Sequence, residues 1–167
     1  MSVLSSYDIF IGIDPGLDGA VAILGPVSSS VEVWRTPTIK VGTRRQYLVR
    51  EMAAIVHRAG AESSAILEAV HSMPGQGVAS SFTFGRGFGV WEGILAALGI
   101  PYQLVAPQTW KAVMLRDMPK DKNASKLLAS RLWPNLYTLE EARKPKMSDG
   151  EAEALLLAEY GRRLRLG

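Results

Sequence analysis

The sequence contains no cysteine and only two histidines among its 167 residues. The missing cysteines exclude disulfides and thiolate metal sites, and so few histidines argue against a histidine-based metal centre. No apolar run approaches the roughly 18 residues of a membrane span, and the first residues lack the basic and apolar regions of a signal peptide. We therefore expect no membrane partner and a reducing, cytoplasmic location.

The composition is that of an ordinary globular protein. Hydrophobic residues make up 47% of the chain and charged residues 21%, which is too apolar for a disordered polymer. The length suffices for one domain with a substantial core but not for two full-sized domains. No repeat or low-complexity segment interrupts it, so residues 1–167 are expected to form a single domain.

Basic residues are clustered, although the net charge is only +3. Residues 35–58 hold six cations against one acid, a second cluster covers residues 111–126, and Arg162, Arg163 and Arg165 end the chain. Such clusters favour a polyanionic partner, with solvated helix faces and compensation of a helix dipole as the alternatives. The first cluster, which includes Arg44 and Arg45, favours the nucleic-acid interpretation most.

Apolar periodicity and turn residues predict alternating strands and helices. The predicted strands cover residues 8–14, 19–24, 31–35, 64–68 and 102–105. The predicted helices cover residues 44–59, 82–98, 107–114, 121–133 and 148–165, the last with Ser148 as its N-cap. This order indicates an α/β domain with a mixed sheet covered by helices.

Four carboxylates stand at or beside apolar segments. Asp14 and Glu68 each end a predicted strand, whereas Asp149 and Glu153 are four residues apart on one helix and share a face. Taken singly they fit a turn residue, a surface strand end and helix N-terminal acids, but Glu153 lies close to the buried side and requires a cation. Converging together, they could hold two Mg²⁺ ions for phosphodiester hydrolysis.

The segments "IGIDPGLDGAVAI", "ILEAV" and "SDGEAEALLLAEYGRR" resemble the RuvC family of Holliday junction resolvases, within the RNase H-like superfamily. The middle segment "SSFTFGRGFGVWEGILAALGIPYQLVAPQTWK" resembles the phage-type members. The resemblance implies an RNase H-like fold with a mixed five-stranded sheet flanked by helices. It also implies two Mg²⁺ ions per site, which Mn²⁺ could replace, four-way DNA junctions as substrate, and a homodimer formed through the helix over 82–98. A phage-encoded member would act in the cytoplasm of its bacterial host.

The family's acids correspond to Asp14, Glu68 and Glu153 in this chain. The family places its fourth metal ligand three residues before Glu153, where this sequence has Gly150, so we take Asp149 as the replacement. Lys111 in "PQTWK" and Lys122 correspond to family lysines near the scissile phosphate, with Lys120 and Lys126 as competitors for the second role. These six residues, without the competitors, form the predicted catalytic set.

Several further residues are predicted to contact DNA. The family has an aromatic wedge three residues past the second acid, where this chain has His71, so Phe82 or Phe84 could serve instead, with core packing as the alternative for both. The predicted DNA-binding residues are Arg44, Arg45, His71, Phe84, Arg86 and Lys126. Gly85, Gly89, Gly93 and Trp91 are predicted to serve helix packing, within one chain or between two.

Three other functions compete with a resolvase. A debranching nuclease acting on forks and flaps would use the same acids and differ in the loop over 72–84. An actin-like sugar kinase also begins with a strand, an aspartate and a glycine, but it needs two such domains, for which 167 residues are too few. A junction-binding protein without catalysis is favoured only by Gly150.

Overall fold

The computed structural model describes residues 9–26, 30–69, 75, 77–136 and 146–166. The strands are β1 (Ile9–Asp14), β2 (Ala20–Leu24), β3 (Val31–Arg35), β4 (Thr38–Val41), β5 (Arg44–Tyr47), β6 (Ser63–Glu68) and β7 (Tyr102–Val105). The helices are α1 (Val49–His57), α2 (Val78–Ala97), α3 (Pro107–Met114), α4 (Ala124–Leu132) and α5 (Asp149–Leu166). None of the helices within these ranges has both the length and the hydropathy to cross a bilayer.

Five strands form one mixed sheet, as predicted, and their order is β3-β2-β1-β6-β7. Strands β1, β2 and β3 pair antiparallel in succession, whereas β6 lies parallel to both β1 and β7. Ile13 of β1 is in register with Leu67 of β6. The residues that follow them, Asp14 and Glu68, therefore stand at the same end of the sheet.

Helices cover both faces of the sheet, which explains why β1 and β2 are almost continuously apolar. On one face Phe10, Ala22 and Ile66 pack against α5 and its neighbours α3 and α4. On the other face Ile11 and its neighbours pack against α1 and α2, where Trp91 is fully buried. Trp91 therefore belongs to the core of its own chain.

Helix α5 lies unusually close to the central strand because of Gly12. A Cβ atom at this position would collide with the backbone of Ala154 and Ala158 on α5. Only glycine lets the helix approach this closely, and the approach brings Glu153, one residue before Ala154, towards the end of β1. The spacing of the proposed site thus depends on an apolar strand position that carries no functional group.

The first turn of α5 is fixed by a capping box, in which Ser148 is the predicted N-cap and Glu151 is its partner. The Ser148 amide donates to Glu151 Oε2 at 2.7 Å, and the Glu151 amide donates to Ser148 Oγ at 3.2 Å. Arg35 of β3 forms an ion pair with Glu151 at 3.3 Å. Burial opposes ionisation of Glu151, but its bonds to Ser148 and the charge of Arg35 outweigh it and lower its pKa.

The predicted helix over 44–59 is wrong in its first four residues. They form β5, which pairs with β4 in a two-stranded hairpin that turns at Gly42, whose φ is +61°. The hairpin is stabilised by tertiary contacts, since Tyr47 is buried and its hydroxyl donates to the Thr83 carbonyl oxygen at 3.4 Å. The other helices differ from prediction at their ends: α2 begins four residues earlier than expected, and α4 begins at Ala124.

Candidate active site

Asp14 is delivered by β1 to the turn that leads into β2. Its Oδ1 accepts a hydrogen bond from the Gly16 amide at 3.4 Å, and the Gly19 amide donates to the Gly16 carbonyl at 3.0 Å. A Cβ atom on Gly19 would collide with the Asp14 carbonyl oxygen, so the turn requires glycine there. The tight turn holds the carboxylate at the end of a rigid, buried strand.

Glu68 ends β6 and is buried, with only 7% of its surface exposed. The indole Nε1 of Trp110, on α3, donates a hydrogen bond of 2.9 Å to Glu68 Oε1. Burial raises the pKa of Glu68, the Trp110 hydrogen bond opposes that rise, and the negative charge of Glu153 adds to it. The negative charge of the carboxylate is therefore destabilised by burial, and a bound cation would stabilise it.

The pKa of Asp14 is raised from 3.8 to about 7. Burial is the main cause, followed by repulsion from Glu68 and then Glu153, while the Gly16 amide and Lys111 oppose the rise. Three carboxylates on three different elements thus sense one another electrostatically. Clusters of this kind, in which burial and like charges perturb ionisation, are typical of functional sites.

The two acids of α5 have lysine partners. Glu153 Oε1 lies 2.7 Å from the Nζ atom of Lys111 on α3, which confirms the prediction that this acid requires a cation. Asp149 Oδ1 lies 2.8 Å from the Nζ atom of Lys126 on α4, and the Asp149 side chain is 76% exposed. Asp149 is therefore placed at the rim, outside the buried group formed by Asp14, Glu68 and Glu153.

Gly150 could not be replaced by the family's acid without moving the chain. A Cβ atom there would lie 2.8 Å from Gly19 Cα and closer still to the Asp18 carbonyl oxygen, both in the turn that follows β1. The glycine lets the first turn of α5 approach the turn that holds Asp14. Of the two acids that flank this position, Glu151 is bound to Ser148 and Arg35, so Asp149 is the one left to face the cleft.

A cleft of about 720 Å³ opens beside Asp14. It lies between the β1–β2 turn, the β4–β5 hairpin and the starts of α2 and α5. Its lining residues include Asp14, Arg44, Arg45, Tyr47, Phe82, Phe84 and Asp149. The structure therefore brings Arg44, Arg45 and Phe84, three of the predicted DNA-binding residues, to the same cavity as two of the predicted metal ligands.

Arg44 and Arg45, which line the cleft, and Arg86, further along α2, differ in their surroundings. Arg45 forms an ion pair with Asp18 and donates to the Leu17 carbonyl oxygen, so it fastens the hairpin to the β1–β2 turn. Arg44 is exposed on the same hairpin, and Arg86 is exposed on α2. Phe82 exposes 73% of its surface, whereas Phe84 is half-buried. Arg45 is thus a structural cation, and the freely exposed positions are those of Arg44 and Arg86.

The remaining predicted residues are spread more widely. Lys122 is exposed just before α4, and Lys126 pairs with Asp149. His71 lies outside the described residues. Arg162 and Arg163 both bind the buried carboxylate of Glu159, at 2.7 and 2.8 Å, so these two arginines of the C-terminal cluster have an intramolecular partner.

Sequence reasoning missed two parts of this site. Trp110 is fully buried and bonds directly to Glu68, yet the motif "PQTWK" drew attention only for its lysine. Two features could have indicated Trp110: a buried carboxylate needs a hydrogen-bond donor, and Trp110 directly precedes Lys111, a predicted site residue. The β4–β5 hairpin was also missed, and its signal was the Val-Gly-Thr turn at residues 41–43 between two short polar segments.

The donor chemistry of the site fits a hard divalent cation. Asp14, Glu68 and Glu153 offer only carboxylate oxygens, and burial, followed by the charges of neighbouring carboxylates, raises the pKa of the first two, a cost that such a cation would relieve. In the described part of the chain, however, no three acid or histidine side chains are close enough to ligate one ion together. They are held instead by Lys111, Trp110 and the Gly16 amide.

Comparison with solved structures identifies the architecture. The chain superposes on RuvC from Thermus thermophilus in complex with Holliday junction substrate, with a TM-score of 0.64 and 18% sequence identity over 95% of this chain and 96% of that one. The chain has the RuvC fold. A second Thermus thermophilus RuvC structure matches with a TM-score of 0.54 and 17% identity, over 93% and 96% of the two chains. No protein-family model matches the sequence, and no curated protein does.

Proposed function

We propose that this protein is a divalent-metal-dependent endonuclease that resolves Holliday junctions by paired, symmetric nicks. The observation that carries the proposal is the meeting of three mutually interacting carboxylates with a basic and aromatic cleft at one end of a RuvC-type sheet. The match to a RuvC structure that holds a Holliday junction supports the choice of substrate. Acting on such DNA, the protein would work in the cytoplasm, that of the bacterial host if it is phage-encoded.

Asp14, Glu68 and Glu153 are the proposed metal ligands, with Mg²⁺ as the natural ion and Mn²⁺ as a substitute. Asp149 is the proposed fourth acid, for a second ion, because it lines the same cleft as Asp14. Its exposed ion pair with Lys126 is worth at most about 1 kcal/mol, so a cation could displace the lysine at little cost. Bound ions would supply an acidic water as nucleophile and stabilise the leaving 3′ oxygen.

Lys111 is the proposed cation at the scissile phosphate. Its Nζ atom lies at Glu153 and lowers the pKa of both Asp14 and Glu68, so it stands within the electrostatic field of all three acids. A lysine in this position can hold a phosphate oxygen and stabilise the charge that develops in the transition state. Lys122 and Lys126 are proposed to contact phosphates further along the strand.

The cleft beside Asp14 is the proposed path for DNA near the crossover. Arg44 and Arg86 would contact phosphates, and Arg45 would act mainly by holding the hairpin in place. The exposed ring of Phe82 can stack on a base that has lost its partner, with Phe84 behind it. His71 remains a prediction for the same role.

Two copies of the chain are proposed to associate through α2. Gly85, Gly89 and Gly93 lie on one face of this helix, and a Cβ atom on any of them would meet no described atom within 4 Å. An apolar groove of about 360 Å³ between α1 and α2 lies beside Gly93 and is lined by Val49, Ala53, Val90 and Leu98 among others. A two-fold dimer would place two sites symmetrically for two cuts.

Synthetic four-way junctions test the proposal, with linear duplex, fork and flap DNA as the comparison substrates. Wild type and Asp14→Asn would each be incubated with Mg²⁺ and with EDTA, and the nicks mapped to the nucleotide. We expect symmetric paired nicks on the junction that disappear in the variant and in EDTA. Equal cutting of forks and flaps would make the protein a general debranching nuclease, and junction binding without metal-dependent nicks would exclude catalysis.

A further inference from the structure

Two consecutive residues of α3 bind two different acids of the site. Trp110 Nε1 lies 2.9 Å from Glu68 Oε1 at the end of β6, and Lys111 Nζ lies 2.7 Å from Glu153 Oε1 on α5. Helix α3 therefore bridges the sheet and α5 at the level of the carboxylates. Lys111 already has a proposed role at the phosphate, whereas Trp110 has none.

The bond from Trp110 to Glu68 is formed away from water. Trp110 has no exposed surface and Glu68 has 7%. A hydrogen bond to a charged group is about twice as strong as a neutral one, and losing it would leave a buried carboxylate short of a donor. The bond also opposes the rise in the pKa of Glu68 that burial causes, so it favours the ionised form that a metal needs.

Core packing alone does not account for this bond. Trp91 is another fully buried tryptophan, and its Nε1 has no hydrogen-bond partner among the described residues. Among the described residues, burial of an indole is thus not always accompanied by an acceptor for its N–H. The pairing of Trp110 with a site carboxylate is a separate feature, placed where α3 meets β6.

The packing of the indole fixes the orientation of the carboxylate. The Trp110 ring belongs to the core cluster that includes Val105, Met114 and Leu155, so its two side-chain torsions are restrained on all sides. An indole has a single N–H donor in a fixed direction. It takes Oε1 of Glu68 and leaves Oε2 as the oxygen for a cation.

We propose that Trp110 is a positioning residue of the metal site, which binds Oε1 of Glu68 through its indole N–H and presents Oε2 to the cation. This inference rests on the proposed function, since it assumes that Glu68 is a ligand. Partners of metal-binding carboxylates typically change metal affinity or activity by 10- to 100-fold when removed. Trp110 is fully buried, so its indole N–H would act through Glu68, while its ring also lies 5.1 Å from the Nζ atom of Lys111.

Trp110→Phe is the test variant, because phenylalanine keeps an aromatic ring in the core and beside Lys111 but has no N–H donor for Glu68. Mg²⁺ binding to the DNA-free protein would be measured by calorimetry, and we expect the dissociation constant to rise about 10-fold or more. Trp133→Phe is the matched control, since Trp133 is buried in the same cluster. It should bind Mg²⁺ as wild type does.

A second measurement needs no change at position 110. The four tryptophans give four indole N–H signals in a ¹⁵N–¹H spectrum, and Mg²⁺ should shift the Trp110 signal in wild type but not in Glu68→Gln. An unmoved Trp110 signal, or equal Mg²⁺ affinity in Trp110→Phe, would overturn the positioning role while junction nicking could still stand. A wild type that binds no Mg²⁺ would overturn both this inference and the proposed metal site.

Discussion

The acid end of the sheet and the cleft beside it are built in opposite ways. Asp14 and Glu68 are held by a strand end, a tight turn and a buried indole, and burial is the largest cause of their raised pKa values. The cleft walls carry exposed groups, such as Phe82 and Arg44, on a two-stranded hairpin and the start of a helix. The two regions share Asp14 and little else.

This difference has a physical meaning. A buried carboxylate without a partner is destabilising, whereas its attraction to a bound cation is strong because the local dielectric is low. The acid end is therefore suited to chemistry that needs fixed geometry. The charges of exposed arginines are screened by salt, and exposed side chains can change rotamer. Both properties suit the recognition of a long flexible polyanion. Changes at the acid end should therefore be all-or-none for chemistry, and changes in the cleft should be graded.

The largest expected effect is that of Asp14→Asn. Nicking should fall by at least about a hundredfold, because a ligand at the centre of the proposed site is lost. In EDTA the same variant should be more stable than wild type near pH 8. The carboxyl that ionises near pH 7 when folded ionises near 3.8 when unfolded, so wild type loses stability as the pH rises through that window.

The full difference corresponds to at most about 4 kcal/mol, and thermal unfolding of both proteins from pH 4 to 8 would measure it. The two curves should draw together as the pH falls towards 4, because below about 3.8 Asp14 is mainly protonated in both states. Equal stability at pH 8 would show that the acid end is not strained by its charge. In that case the contrast between destabilised buried acids and an exposed, solvated cleft would be wrong.

Gly12→Ala should strongly destabilise the fold, because the added methyl group has no space between β1 and α5. Its Cβ would meet backbone atoms of α5, which cannot move aside as a flexible side chain can. We expect a loss of about 3 kcal/mol or more in the free energy of unfolding, measured with denaturant, together with loss of nicking. Wild-type stability would show that α5 is free to shift and that Glu153 is not held by this contact.

Combining Arg44→Ala with Arg86→Ala should weaken junction binding without changing the nicking rate at saturation. Each lost phosphate contact is expected to reduce the salt dependence of binding by about one unit of slope and the affinity by roughly 3- to 10-fold. Arg58→Ala is the matched control, because that arginine lies over Trp34 and pairs with Glu32 at the far edge strand. A loss of turnover in the double variant would place these arginines in the chemistry.

Gly89→Ala should have the smallest effect on the isolated chain, and a stabilising one. Its Cβ would meet no described atom, and alanine is favoured over glycine in a helix by about 0.5–1 kcal/mol. If two copies approach closely along α2, the same methyl should raise the dimer dissociation constant, which sedimentation analysis would measure. Unchanged association would contradict a dimer through this face.

The sheet was predictable because its strands carry their own signal. The runs at 9–13, 20–24 and 65–67 are apolar and are followed by Asp14, Gly25 and Glu68, so buried strands were the simplest interpretation. The hairpin was not predictable in the same way. Of its residues 44–47 only Tyr47 is buried, and what stabilises the pair is the contact of Tyr47 with α2 and the link from Arg45 to Asp18.

The membership of the site was predicted better than its internal contacts. Asp14, Glu68 and Glu153 were named from strand ends, helix spacing and family motifs, and the structure places them within electrostatic reach of one another. That Trp110 would bind Glu68, that Lys111 would bind Glu153, and that Asp149 would stand at the rim with Lys126 required coordinates. These pairings join residues more than twenty positions apart, and no local pattern encodes them.

By itself the sequence determined the periodicity of the strands and helices, the acids at the ends of two strands and on the last helix, and the absence of cysteine ligands. These features follow from local chemistry and from the order of residues. Tertiary structure alone decided how close the acids come and what holds each one. The acids lie close together because Gly12 lets α5 approach the sheet and Gly150 lets it approach the turn after β1. Distances between elements depend on packing, and packing is settled only when the whole chain has folded.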